Sequence, residues 1–214
     1  MSPTAVFTRL PAPKRRTVLD AAAAEFAQAG FAAAKVDAIA ARAGISVGSL
    51  YQYFGTKENC FLAVLDDGVS ELQTRLDEVL TRIADPWDRI EAIVRLIPDH
   101  SRRHAAILRL YHEIAGEGLS DLGRDFADRF EGLSARVYTA LLAEARASGA
   151  VRPDLDEHYA AFCLDNVFMA LQFSYSCDYH RRRKALYLGP DRDVDDEALV
   201  ARVLQFLRYG LAGR

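Results

Sequence analysis

The chain has 214 residues, half of them hydrophobic, with three cysteines and a net charge of −3. That much apolar material can bury a sizeable core, either in one domain or in a small head joined to a larger body. The cysteines Cys60, Cys163 and Cys177 are odd in number and show no CxxC spacing, which indicates neither a disulfide framework nor a zinc knuckle.

Hydrophobic periodicity and capping residues place nine helices, near 14–29, 36–43, 47–54, 57–83, 86–97, 101–115, 121–148, 155–183 and 194–211, with no strand alternation. The first opens on Lys14-Arg15-Arg16, which with Arg9 is placed to reach phosphates or a minor groove; a solvated helix start is the plain alternative. In the second, Val36, Ile39, Ala40 and Ala43 fall at i, i+3, i+4 and i+7 and form one apolar face. Gly44 ends it in a left-handed conformation, Ile45 packs inward, and Ser46 is a good N-cap for a helix beginning at Val47.

In that third helix Leu50 and Phe54 face the core, which leaves Val47, Gly48, Ser49, Tyr51, Gln52 and Tyr53 on the outer side and N-terminal end. Val47 and Gly48 allow close approach to a groove, Ser49 and Gln52 can bond base edges or phosphates, and the hydroxyls of Tyr51 and Tyr53 can reach the backbone. Thr56 then caps a helix whose first residue, Lys57, puts a positive charge at the positive end of the helix dipole, which favours an anion at that spot.

Charge divides the chain at the same place. Up to Lys57 there are seven basic residues (Arg9, Lys14, Arg15, Arg16, Lys35, Arg42, Lys57) against three acidic (Asp20, Glu25, Asp37), a balance of +4, and the remainder carries −7. A positive head on a negative body suits a nucleic-acid contact confined to one end.

Several spaced elements together resemble the DNA-binding region of the TetR family of bacterial transcriptional regulators. They are Phe26, Gly30-Phe31, Val36-Asp37-Ala38-Ile39-Ala40, Ala43-Gly44-Ile45-Ser46, Leu50-Tyr51-Gln52-Tyr53-Phe54 and Lys57-Glu58, within residues 14–65. Two positions depart from the family pattern. Lys35 stands where a serine or threonine cap is usual, and Gln52 where histidine or arginine is common. The expected DNA contacts are Lys14, Lys35, Arg42, Ser46, Val47, Gly48, Ser49, Tyr51, Gln52, Tyr53 and Lys57. The resemblance implies an all-α protein: a helix-turn-helix head over 1–57, and a larger helical ligand-binding and dimerisation bundle over 58–214.

Downstream, the helix expected over 57–83 carries Phe61, Leu65, Leu72, Leu76, Val79 and Ile83 as a stripe long enough to link head and body. Asp85-Pro86 reads as an N-cap followed by proline at the first helical position, and Asp154 with Glu157 as the cap opening the helix after Gly149 and Pro153. The resemblance implies a homodimer built on the last two long helices. Its candidate interface residues are Phe162 and Met169 on one, and Leu199, Val203, Phe206, Leu207 and Gly210 on the other. Any of these can equally fill the core of a single chain.

For a largely apolar small-molecule effector, polar groups set on apolar helices are the candidates: Tyr111, His112, Tyr138, Asn166 and Ser174, with Phe173 beside them. Each is alternatively a core polar residue with a satisfied bond. The run His180-Arg181-Arg182-Arg183-Lys184 reads either as an attractor for an anionic group or as a basic helix C-terminus.

Other function classes fare worse. A metal sensor would use His100 and His104 with His112, but no second ligand cluster has recognisable spacing. A thiol sensor would use Cys163 and Cys177, which on one helix stand about 21 Å apart at the standard rise, too far for a bond within the chain. No GxSxG, phosphate loop or paired carboxylate marks an enzyme, and no cofactor is expected. Residues 1–10 lack a sustained apolar run and no segment reaches the ~20 apolar residues of a membrane span, so a cytoplasmic protein with no membrane partner is expected.

Overall fold

A computed structural model describes residues 3–114, 120–189 and 195–212, and it is helical throughout the described elements. These comprise α1 (Ala5–Thr8), α2 (Ala12–Ala33), α3 (Val36–Ala43), α4 (Val47–Phe54), α5 (Lys57–Arg82), α6 (Pro86–Arg103), α7 (Ala105–Ile114), α8 (Ser120–Ala147), α9 (Glu157–Ser176), α10 (Asp178–Leu188) and α11 (Asp196–Leu211). Among the described residues no helix is long and apolar enough to cross a membrane.

Two compact units result: residues 1–72 with 106–126, and 73–105 with 127–214. The first is built on an aromatic centre. Phe26 and Phe31 from α2 meet Phe61 of α5 at 4.9 and 4.8 Å between ring centroids. Ile39 of α3 and Leu50 and Phe54 of α4 are buried around it. Gly68 of α5 has no room for a side chain, since a Cβ there would lie 2.8 Å from Ile107 Cδ1; glycine is what admits α7 so close within this unit.

In the second unit Ile90 and Val94 of α6, Leu141 and Leu142 of α8, and Leu164 and Phe168 of α9 form the core. Several of its polar groups are paired across elements. Trp87 Nε1 donates to the Ala150 carbonyl at 2.7 Å, Arg89 meets Glu144, Arg95 meets Glu197, and Arg102 meets Asp196. The Tyr175 ring lies between the Arg102 guanidinium at 4.8 Å and the Lys184 ammonium at 4.5 Å.

Several boundaries differ from those expected. The helix anticipated over 155–183 is two, because Cys177 takes an extended conformation (φ −115°, ψ 132°) that ends α9 and starts α10. The basic run 180–184 therefore lies in α10 and not at the end of a long helix. Its Arg181 is tied to Asp178 and to the Tyr175 carbonyl. Pro98 does not end α6, which continues through it to Arg103. The cap of α9 is Asp156, which accepts from the backbone N–H groups of His158 and Tyr159, and not Asp154. The short α1 was not foreseen. Asp85 is the N-cap of α6 as expected, accepting from Trp87 and Asp88 N–H groups.

Candidate nucleic-acid interface

The head is assembled around the turn between α3 and α4. Gly44 adopts φ 65°, ψ 35°, and its N–H bonds back to the last turn of α3, which is the left-handed stop that only glycine takes cheaply. Ser46 then caps α4: its Oγ accepts the Ser49 N–H at 3.0 Å and also lies 2.9 Å from Ser49 Oγ. Ser46 and Ser49 are thus bonded to each other, while Val47, Gly48, Tyr51 and Gln52 remain exposed along one outward strip.

Tyr53 does not join that strip. It is only 6 % exposed, packed against Phe7 at 5.7 Å and Phe54 at 6.4 Å, so its ring is core. The missing information was α1. Phe7 covers this side of α4, the Thr4 N–H donates to the Tyr53 carbonyl, and the Thr4 hydroxyl donates to the Gln52 carbonyl. The N-terminal segment thereby satisfies carbonyls that end α4 and buries a residue that the helix period alone leaves outside.

Lys35 occupies the N-cap position of α3 without a side-chain cap bond. The first-turn N–H that a hydroxyl cap would take, that of Ala38, is met instead by Asp37 Oδ1 at 2.9 Å, and Glu25 Oε1 accepts the backbone N–H of Lys35 itself at 3.2 Å from the neighbouring helix. Lys35 is left exposed, with its ammonium directed to no partner among the described residues. Lys57, expected to await an anion, instead donates to the Ala32 and Ala34 carbonyls at 3.2 and 3.3 Å and sits 4.8 Å from the Phe31 ring centroid. The end of α2 supplies the negative partial charge, and one of the three ammonium N–H groups is unspent.

The first basic run is also partly spent. Arg15 donates to the Leu10 carbonyl at 2.6 Å, and Arg16 pairs with Asp20 and Asp67, whereas Lys14 is exposed with no partner among the described residues. Arg42 is exposed and makes only long contacts, 3.4 Å to Gln28 and 3.9 Å to Glu25. The free positive charge of the head is therefore carried by Arg9, Lys14 and Lys35, with Arg42 held only by its long contacts to Glu25 and Gln28.

A family model described as "Bacterial regulatory proteins, tetR family" matches residues 18–64, which contain this whole turn and both flanking helices. The repressor KstR2 of Mycolicibacterium smegmatis is 34 % identical over 148 residues, covering 68 % of this chain and 71 % of the relative. The activator FasR of the same organism is 34 % identical over 218 residues, covering 95 % and 86 %. This chain belongs to the tetR family. It is a DNA-binding transcriptional regulator. In fold it is similar to FadR of Bacillus subtilis solved with stearoyl-CoA, at a TM-score of 0.70, 20 % identity and coverage of 90 % and 96 % of the two chains.

The other candidate residues of this tetR-family chain fall into distinct settings. Tyr111, buried, and His112, exposed, belong to the first unit; Tyr138, Asn166, Phe173 and Ser174 belong to the second. Asn166 donates locally to the Phe162 carbonyl at 2.7 Å, and Ser174 to the Leu171 carbonyl at 2.7 Å, so both side chains are at least partly engaged within their own helix. On the candidate interface, Phe162 and Phe206 are each 68 % exposed and Gly210 is exposed, while Met169, Leu199 and Val203 are half-buried. Leu207 is buried within the chain itself and is core rather than free surface. The rings of His100 and His104 stand 4.4 Å apart, and no group of three metal-ligating side chains occurs among the described residues. Cys60 is buried, and its thiol is pushed up to about 12 by desolvation.

One half-buried acid escaped the sequence reading. Asp165 lies on α9 between Ala161 and Phe168, at core-facing spacing, and burial followed by the nearby Glu131 charge pushes its carboxyl up to about 6. The signal was a single acid four residues after one buried position and three before another.

Proposed function

We propose that the chain acts as a homodimeric repressor whose 1–57 head holds a near-palindromic operator and whose 58–214 region binds a largely apolar small molecule that releases it. The observation that carries the reading is the exposed strip Val47, Gly48, Tyr51 and Gln52 on a capped helix, in a head whose Lys14 and Lys35 are exposed and unpaired among the described residues and whose Arg42 is exposed with only long contacts. Small residues at the helix start admit the groove, Gln52 offers bidentate bonds to adenine, and the tyrosine hydroxyl and cations serve phosphates. Ser46 and Ser49 bond each other but retain acceptor capacity, and Lys57 keeps one N–H for a phosphate.

Two such helices reach successive major grooves when half-sites lie ~34–36 Å apart, which calls for a dimer. The exposed Phe162 and Phe206 on α9 and α11 supply an apolar face for a second copy. Effector bound in the body favours a conformation with the recognition helices wrongly spaced, and linkage requires operator to weaken effector binding equally. FadR, a fold neighbour, was solved in complex with stearoyl-CoA, which supports an effector with an apolar part for this chain.

The test is titration of purified protein against DNA from upstream of its own gene across a salt series, with sedimentation at micromolar concentration. The expected result is a dimer whose log affinity falls linearly with log salt. Salt-independent binding, no binding, or a monomer at that concentration overturns the reading.

A further inference from the structure

Helix α4 has only 8 residues, and a helix that short is marginal by itself, so its pose is set by what holds its two ends. Ser46 holds the first end from within the turn. At the other end a helix leaves its last four carbonyls without partners of its own, and here each of them is met. The Gly55 N–H donates to the Tyr51 carbonyl at 2.7 Å and Asn59 Nδ2 to the Phe54 carbonyl at 2.9 Å, both from the chain that follows directly. The two carbonyls between go to one distant residue. The Thr4 hydroxyl donates to the Gln52 carbonyl at 2.9 Å, and the Thr4 N–H to the Tyr53 carbonyl at 2.9 Å.

The segment that carries Thr4 is itself fixed. Phe7 is buried, with its ring centroid 4.7 Å from that of Phe54 and 5.7 Å from that of Tyr53. Arg15 of α2 donates to the Thr8 and Leu10 carbonyls at 3.1 and 2.6 Å. Residues 4–10 therefore tie α2 to the C-terminal end of α4 within one unit. The bond from the Thr4 hydroxyl lies at the surface, where water would satisfy the Gln52 carbonyl in its absence. What the hydroxyl adds is a fixed place for the backbone of Gln52, whose side chain is exposed on the outer strip.

We propose that residues 4–10 brace α4 for sequence-specific DNA contact, with Thr4 as the positioning residue of Gln52. A two-bonded contact between glutamine and adenine needs both partners in register, so a small shift of the Gln52 backbone weakens it. Contacts to phosphates tolerate the same shift, because they act through charge and carry no sequence information. Losing the Thr4 hydroxyl therefore lowers discrimination between sequences more than it lowers affinity for DNA in general. The proposal rests on the reading of α4 and Gln52 given above.

The test uses the full chain with two labelled duplexes: one that the parent protein selects from a random pool, and a scrambled duplex of the same composition. Fluorescence anisotropy is read well below the melting temperature of every variant. Thr4→Val keeps the side-chain shape and the backbone bond to Tyr53; it is expected to lose about fivefold on the selected duplex, the worth of one hydrogen bond, and less than about twofold on the scrambled one. Thr4→Ser restores the parent affinity. On a Gln52→Ala background Thr4→Val costs nothing further, because the side chain being positioned has gone. A purely structural role for Thr4 instead weakens binding to both duplexes alike. That equal loss, an unchanged affinity in Thr4→Val, a Thr4→Ser variant no better than Thr4→Val, or an undiminished loss on the Gln52→Ala background each overturns the proposal. If the parent selects no sequence, or Gln52→Ala keeps full affinity for the selected duplex, the reading of α4 and Gln52 fails and takes the brace with it. If Gln52→Ala weakens binding while Thr4→Val does not, the brace alone is lost.

Discussion

Tyr51 and Tyr53 stand two residues apart on one helix and are expected to behave as opposites. Tyr53 is 6 % exposed against Phe7 and Phe54, whereas Tyr51 is 49 % exposed. A buried tyrosine removes about 150–200 Å² from water, worth about 4–5 kcal/mol at about 25 cal/mol per Å². A compact unfolded chain already buries part of that surface, so Tyr53→Ala is expected to cost about 3 kcal/mol. Tyr51→Ala is expected to stay within about 1 kcal/mol, because half of its surface never leaves water. The phenylalanine variants separate packing from hydroxyl chemistry. Tyr53→Phe keeps stability and operator affinity, while Tyr51→Phe keeps stability and loses about three- to tenfold in operator affinity, the worth of one ordinary hydrogen bond. Urea denaturation followed by circular dichroism measures the first quantity, and fluorescence anisotropy with labelled operator the second. If Tyr53→Phe weakened operator binding as much as Tyr51→Phe while leaving the urea midpoint unchanged, the assignment of Tyr53 to the core would be refuted.

Four further outcomes follow from the geometry. Gly44→Ala meets nothing within 4 Å, so its cost is the left-handed backbone alone, about 1 kcal/mol; a loss above about 3 kcal/mol in denaturation would point to an unseen clash. Lys57→Met removes two bonds to α2 carbonyls and is expected to cost about 1–2 kcal/mol, and to reduce the salt slope of operator binding by about 1 through its remaining N–H; an unchanged urea midpoint would contradict the first part. For Asp165 the folded carboxyl is raised from 3.8 to about 6, so the fold favours its neutral form and stability falls as pH rises between those values. Asp165→Asn should therefore match the parent protein near pH 4 and exceed it at pH 7.5 by about 1 kcal/mol, once the partial exposure of the group is discounted; the reverse order in thermal melts would reject the sign. Combined Phe162→Glu and Phe206→Glu is expected to give monomers by sedimentation, and an undisturbed dimer would place the interface elsewhere.

Sequence alone determined what depends on neighbours along the chain. The 3.6-residue period, the Gly44 stop and the Ser46, Thr56 and Asp85 caps fixed α3, α4, and the starts of α5 and α6, because each cap bond spans only two or three residues. The spaced motifs of the head carried the family for the same reason. Tertiary structure decided which groups remain free, since that depends on atoms distant in sequence. Phe7 turned Tyr53 from surface into core, Ala32 and Ala34 claimed Lys57, Glu25 took the backbone N–H of Lys35, and Asp20 and Asp67 took Arg16. The same dependence hid Asp165: its place on α9 is written in the helical period, but the partial burial that raises its carboxyl exists only in the packed molecule. A hydrogen bond within a turn is local and legible, whereas the satisfaction of a charge is a property of the packed molecule.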